Sequence, residues 1–304
     1  AAAPNENYGR ELLELHTVGL AYTESDVQDA ARLLSGMTVG DTGAYRYDPK
    51  RHAVGAVRVL GFRHPNATTG IGEAGAMALL DHLATHTATA RRIVTKLCVR
   101  FVADDPPAAL ISRLVKVYLD NRTAIVPVLR ALFGSAEFKA AIGAKTRTPF
   151  EDTVATVRVL ALGPDPTGTK ALESLYWMCG NAGQAPLGWA PPNGYPDVAA
   201  AWASPSGQLV RWNNHLNLAA GWWPTTLTRP PSYVPGSPGT YGELIDAVAV
   251  RLLGRTMTPR QTIALAKFYG KTPATVLQPR DPVTGWMFPY LMAMLLNSPS
   301  FALK

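Results

Sequence analysis

The sequence predicts a mainly α-helical protein: a multi-helix bundle with two related three-helix units, a small β-hairpin-like insertion near residues 44–61, and long Pro- and Trp-rich loops. Three observations carry this. Apolar residues recur at i, i+3, i+4 and i+7 through most of the chain, the spacing that gives a helix one apolar face. The alternation that marks a half-buried strand is convincing at one place only. One order of elements occurs twice, closed each time by Ser-x-x-Phe.

The first helix is read over residues 5–16, Asn-Glu-Asn-Tyr-Gly-Arg-Glu-Leu-Leu-Glu-Leu-His. At about 100° per residue, Asn7, Arg10, Glu11 and Glu14 share one arc, and Tyr8, Leu12, Leu15 and His16 share the other. His16 is therefore expected to be at least partly buried beside the leucines. Gly19 supplies a natural stop. Thr23 with Asp26 reads as a capping-box variant opening a helix to about Ser35. Next, Tyr45-Arg46-Tyr47-Asp48 and Val57-Arg58-Val59-Leu60 alternate, which suggests two short strands around the turn-rich segment Asp48 to Gly55. Helices resume at Glu73, over 73–84, 88–103, 107–120, 123–133 and 149–161, then 169–181, 205–221, 240–253, 258–270 and 287–297.

The internal echo joins Lys96 to Phe101, the helix ending at Tyr118, and Leu129 to Phe138 with Val250 to Arg255, the helix ending at Tyr269, and Leu291 to Phe301. Helical units repeated in this way pack into related bundles. Chance likeness of amphipathic helices is the alternative. The chain is accordingly divided into an N-terminal helical part with the β insertion, 1–145, and a C-terminal helical part, 146–304. Between the copies, Gly183 to Asp197 followed by Trp202 and Leu209 to His215 carries prolines and large aromatics. A flexible linker avoids such residues, so this stretch is expected to line or cover a cleft.

Composition narrows the function classes. With 47% hydrophobic and 17% charged residues in 304, the chain buries a large core. The formal charge of +7 is scattered, without a basic run interleaved with aromatics, which argues against nucleic acid as a partner. No apolar run approaches the roughly 20 residues that cross a bilayer. The first residues, Ala1-Ala2-Ala3-Pro4, lack an initiator Met, so a fragment or processed product is expected and a missing signal peptide says nothing of compartment. Cys98 and Cys179 read as two buried thiols, a single disulfide being the alternative in an exported protein. No GxSxG, HExxH, phosphate-loop or dinucleotide fingerprint is present.

Among titratable residues, Glu11 and Glu14 lie one turn apart, suited to metal ligation or acid/base work. The bland alternative is an ion-pair ladder of Glu6, Arg10 and Glu14. Glu11 and His16 are five apart, about 140° around an α-helix, too far to hold one ion together unless the helix ends before His16. His86 reads as a helix cap, His64 and His82 as solvent-facing, and His215 as ambiguous.

Four segments together resemble the bacterial domain-of-unknown-function 1800 family. They are Asn5 to Thr17, Arg51-His52, His86 to Arg91 with Lys96-Leu97 and Asp105-Pro106-Pro107, and Pro191 to Tyr195 with Arg211-x-Asn213. The likeness covers essentially the whole chain, as the C-terminal two-thirds of a typical member. It implies an exported, secreted or periplasmic protein of undefined activity, with an exported sulfatase-like protein as partner. It also implies a preceding helical region with a Trp-His-Asn-His-type motif, whose histidines beside the first helix would make a divalent-metal site. Two departures stand out: Gly9 replaces the usual Ala, at a helix cost of about 1 kcal/mol, and Ala53 follows His52 where an acid is common.

Two functions are carried forward. One is a metal-assisted enzyme acting on an extracellular or envelope substrate, with Glu11, His16 and His52 catalytic and Glu11 and His16 as metal ligands. Asn7, Arg51, Trp189, Tyr195, Trp202, Arg211 and Asn213 would then bind substrate. The other is a non-catalytic envelope, assembly or glycan-binding protein using the aromatic-rich surface of residues 189–223.

Overall fold

The first helix is short because its register changes midway. In the computed structural model, which describes residues 4–234 and 236–304, α1 (Glu6–Glu11) is capped by the Asn5 side chain, which accepts from Tyr8 N–H. A π-helical turn, Leu12–His16, follows. Its i→i+5 repeat turns Leu13 fully inward and His16 outward to solvent, so the expectation of a partly buried His16 is corrected. Gly19 does end the element, with φ +72° and its N–H donating to Leu13 O at 3.0 Å. The ion-pair ladder offered as the alternative for α1 is not formed among the described residues. Arg10 reaches Glu24 at 2.5 Å, and Glu14 accepts from Tyr22 Oη at 2.7 Å.

Those partners lie in and just before α2 (Glu24–Leu34), which opens on the reciprocal Thr23/Asp26 capping box. Two β-hairpins follow, and here the sequence expectation changes. β1 (Met37–Val39) pairs with β2 (Tyr45–Tyr47), and β3 (Val57–Val59) pairs with β4 (Phe62–His64). The Tyr45 and Val57 strands are therefore members of separate hairpins. Leu60 and Gly61 both have positive φ, 47° and 86°, the conformation a two-residue hairpin loop demands. The segment assigned to the turn between the strands instead forms a single helical turn over Pro49–Arg51, capped by Asp48.

Helices α3 (Gly72–Ala84), α4 (Thr87–Phe101), α5 (Ala108–Asp120), α6 (Ile125–Phe133) and α7 (Ala136–Ala140) complete a first compact unit, Ala1–Ala141. It has two apolar cores. One joins Leu13, Val27, Leu33, Val59, Leu79 and Leu83, and the other joins Val94, Cys98, Leu110, Leu114, Val128 and Leu132. His86 caps α4 as expected, accepting from Ala88 N–H. His64 and His82 are half-buried rather than solvent-facing, and His82 bonds to Leu60 O.

The second unit, Ile142–Lys304, contains α8 (Pro149–Val159), α9 (Lys170–Asn181), α10 (Pro205–Ala220), α11 (Tyr241–Leu253), α12 (Pro259–Phe268), α13 (Phe288–Leu296) and α14 (Pro299–Ala302). Leu160, Met178, Leu218, Leu244, Leu291 and Leu295 anchor its core. The two Ser-x-x-Phe motifs behave alike. Ser135 begins α7 and Ser298 begins α14, and each hydroxyl donates to the carbonyl three residues earlier, Leu132 O and Leu295 O. Both cysteines are free and buried. No helix among the described residues is long and apolar enough to cross a membrane.

Asp26 ties α2 to the second hairpin and sets a pH dependence. Burial pushes its carboxyl up, but bonds from the Thr23 hydroxyl, Leu60 N–H and Thr23 N–H outweigh this and hold it below the ordinary value. A carboxylate so depressed contributes stability present above its unfolded value and lost as pH falls through the folded one. Asp26→Asn should therefore flatten the acid limb of the first unit's stability below about pH 4. Acid titration followed by circular dichroism reads this, and an unchanged slope would refute it.

Candidate functional site

The residues singled out from the sequence fall into both units. In the first, Asn7, Glu11 and His16 are exposed and make no side-chain hydrogen bond or ion pair among the described residues. The π-turn between Glu11 and His16 narrows the angle that α geometry would set between them, and both side chains are exposed. Two donors do not complete a metal site, which takes four ligands for structural zinc or three and a water for catalytic zinc. Among the described residues no group of three His, Cys, Asp or Glu side chains is gathered to hold an ion. Glu11 and His16 by themselves do not make up such a donor set.

Arg51 is exposed, with Nε 3.4 Å from Asp48 Oδ2. His52 beside it is walled in. Its Nδ1 lies 2.7 Å from Ser35 O and its Nε2 2.7 Å from the Oδ1 of fully buried Asn66, whose amide donates to Ala53 O. Gly72 presses on the same ring: a Cβ there would collide with Tyr47 Oη and the His52 imidazole. The structure thus places His52 as a clamp joining the end of α2, the segment after β4 and the start of α3.

In the second unit the loop after α9 arranges three aromatics as a ladder. Trp189 and Tyr195 have ring centroids 4.8 Å apart, and Tyr195 and Trp202 5.8 Å. Each polar tip is tied back to the loop. Trp189 Nε1 donates to Asn193 Oδ1 at 2.9 Å, Tyr195 Oη to Ala185 O at 3.0 Å, and Trp202 Nε1 to Pro196 O at 3.0 Å. The rings are held by their edges, and Trp189 is 39% exposed to solvent.

Arg211 and Asn213, two residues apart on α10, face opposite ways. Asn213 is exposed, whereas Arg211 is buried, donates to Arg147 O at 3.1 Å and leaves Nη2 without a hydrogen-bond partner among the described residues. Burial lowers the pKa of Arg211 and of Arg147, and the nearby Asp152 and Glu151 carboxylates oppose that effect.

This region also holds a polar centre that the sequence reading did not assemble. Asp152 on α8 and His215 on α10 are 3% and 2% exposed. His215 Nε2 stands 2.9 Å from Asp152 Oδ2, and Nδ1 stands 2.7 Å from Asn297 Oδ1. Phe301 meets the imidazole edge-on at 5.5 Å, and the Arg147 guanidinium lies 4.9 Å from the Phe301 ring centroid. No hydroxyl or thiol bonds the Asp152 carboxylate or the His215 imidazole among the described residues, the Thr156 hydroxyl donating to the Asp152 backbone carbonyl instead, so the nucleophile of an acyl-transfer triad is not in place. A signal was available: Asp152 and His215 occupy core-facing positions of their helices, with Pro149, Thr153 and Thr156 and with Arg211, Leu218 and Ala219.

A family model described as a protein of unknown function (DUF1800) matches residues 1–303. No curated protein and no solved structure matches the chain.

Proposed function

Since the chain belongs to the DUF1800 family of proteins of unknown function over residues 1–303, we propose that it is an exported, envelope-associated protein, and from its own surface that it binds a glycan. The second unit is the binding surface. The observation that carries this is the placement of tryptophan. All seven lie beyond residue 176, and six of them, Trp177, Trp189, Trp212, Trp222, Trp223 and Trp286, are between 39% and 72% exposed. Indole is costly to leave in water, and two sets of these rings pack together, Trp189 with Tyr195 and Trp202, and Trp222 and Trp286 with Tyr290; contiguous exposed apolar surface marks an interaction site.

The ladder's chemistry suits a sugar ring. A pyranose presents an apolar C–H face and a polar hydroxyl edge, and it can lie flat on an indole while its hydroxyls meet amides and carbonyls. Because hydrogen bonds already fix Trp189, Tyr195 and Trp202, little ordering cost falls on binding. A neutral polymer also needs no charge partner, consistent with basic residues that are scattered rather than focused. Secretion or periplasmic location, and an exported sulfatase-like neighbour, are parts of the same proposal that rest on the family resemblance. The enzyme alternative finds no assembled acid/base or metal centre around Glu11, His16 and His52 among the described residues.

Affinity electrophoresis through gels containing soluble neutral polysaccharides tests the reading. Wild type should be retarded by at least one polymer. Trp189→Ala, removing one exposed platform worth about 1 kcal/mol, should weaken binding roughly fivefold with an unchanged circular dichroism spectrum. Retardation equal in wild type and Trp189→Ala, or none on any polymer, would remove the proposal.

A further inference from the structure

A second feature of the same unit is independent of the aromatic ladder. Helices α8 and α9 lie side by side and antiparallel, since Phe150 N–H bonds to Gln184 just beyond α9, while Leu162 and Gly163 border the same cavity as Thr169. Their seam is an open groove of about 470 Å³. Phe150, Val154 and Val157 form one wall and Leu172, Leu175 and Tyr176 the other, over a floor made by Thr153 and Cys179. A second cavity of about 260 Å³ shares Val157, Leu172 and Leu175, so the apolar channel continues past the first.

The walls are not core residues glimpsed through a gap. Phe150, Val154, Leu172 and Tyr176 are exposed large apolar side chains, and a contiguous patch of this kind is uncommon without an occupant. Polar groups on the channel are mostly engaged. The Thr153 hydroxyl donates to Pro149 O, and Asp165 at the far end accepts from Thr167 and Thr226. Arg158 is the exception: its aliphatic stem borders the larger cavity, the residue is exposed, and its guanidinium has no hydrogen-bond or ion-pair partner among the described residues. A pocket of this size, lined by apolar surface with an exposed arginine at its rim, has the composition of a small-molecule site.

We propose that the α8–α9 groove binds a single aliphatic chain with an anionic head, a free medium-chain carboxylate, its head at Arg158 and its tail running toward Cys179. From Arg158 back to Phe150 the helix rises about 12 Å, a span that an extended aliphatic chain fills. The carboxylate would take the guanidinium in a charge-assisted, bidentate pair, and the chain would replace water along the two apolar walls.

Isothermal titration of the intact protein with octanoate, decanoate and dodecanoate, each below its micelle concentration, tests this. Affinity should rise about fourfold per added CH₂ until the groove is full. Arg158→Gln should weaken dodecanoate about tenfold and leave dodecanol unchanged. Val154→Trp, which fills the groove from an exposed position, should abolish binding of both while polysaccharide retardation persists, and Trp189→Ala should leave dodecanoate binding intact. Absence of dodecanoate binding, affinity independent of chain length, or a carboxylate response unaltered by Arg158→Gln would overturn the proposal. So would binding to phosphatidylglycerol vesicles without binding to dodecanoate, which would indicate a membrane surface instead.

Discussion

Replacing His215 by alanine is expected to destabilise the second unit by about 3–5 kcal/mol, the cost of removing one partner from a buried charged or polar pair. The substitution strands the Asp152 carboxylate and the Asn297 amide oxygen in an environment that excludes water, and it takes away the edge that packs on Phe301. Phe301 also carries Arg147, whose guanidinium donates to the carbonyls of Phe301 and Leu303, so the loss would spread to the C-terminal segment. Urea unfolding followed by tryptophan fluorescence isolates the effect, because every tryptophan belongs to this unit. Asp152→Asn, which keeps a side chain of the same shape against the imidazole, should cost clearly less. A midpoint for His215→Ala near wild type would show that the pair contributes nothing net.

Gly9→Ala should lower the stability of the first unit by as much as about 3 kcal/mol, opposite in sign to what helix propensity alone expects. In an isolated helix, alanine would be favoured by about 1 kcal/mol. Here a Cβ on Gly9 would stand 2.7 Å from Val27 O and 2.9 Å from Ala31 N, both backbone atoms of α2. No rotamer change relieves such a clash, so α1 and α2 would have to separate, opening the core beneath Leu13 and Val27. Thermal unfolding monitored by circular dichroism decides the sign, and a stabilised variant would mean that the two helices do not approach so closely.

Gly9 shows where sequence reading stops. Its identity is plain in the chain, and its helix cost follows from the residue alone. Its role depends on a neighbour more than a dozen residues away. The same holds for the hairpins. The alternation of Tyr45 to Tyr47 and Val57 to Val59 was legible, but partner choice was not, because alternation specifies a face and not a mate. The left-handed pair at Leu60 and Gly61 and the capped turn at Asp48 decided the pairing. At the candidate site, Trp189, Tyr195 and Trp202 could be named from a loop too rigid and too aromatic to be a linker. Their tilted packing on one another could not, since it rests on hydrogen bonds to Ala185, Asn193 and Pro196.

What the sequence by itself determined is the class of every long helix, the caps at Thr23 and His86, the stop at Gly19 and the two Ser-x-x-Phe closures. These are interactions within a few residues of chain, where spacing and side-chain chemistry leave one favourable geometry. The tertiary structure alone decided that His16 faces solvent, that His52 clamps three segments, that Asp152 and His215 meet inside the second unit, and that Arg158, beside an apolar groove, has no partner among the described residues. Each of these depends on which distant surfaces are brought together and which are left uncovered. Burial and pairing are properties of the packed whole, and local spacing does not encode them.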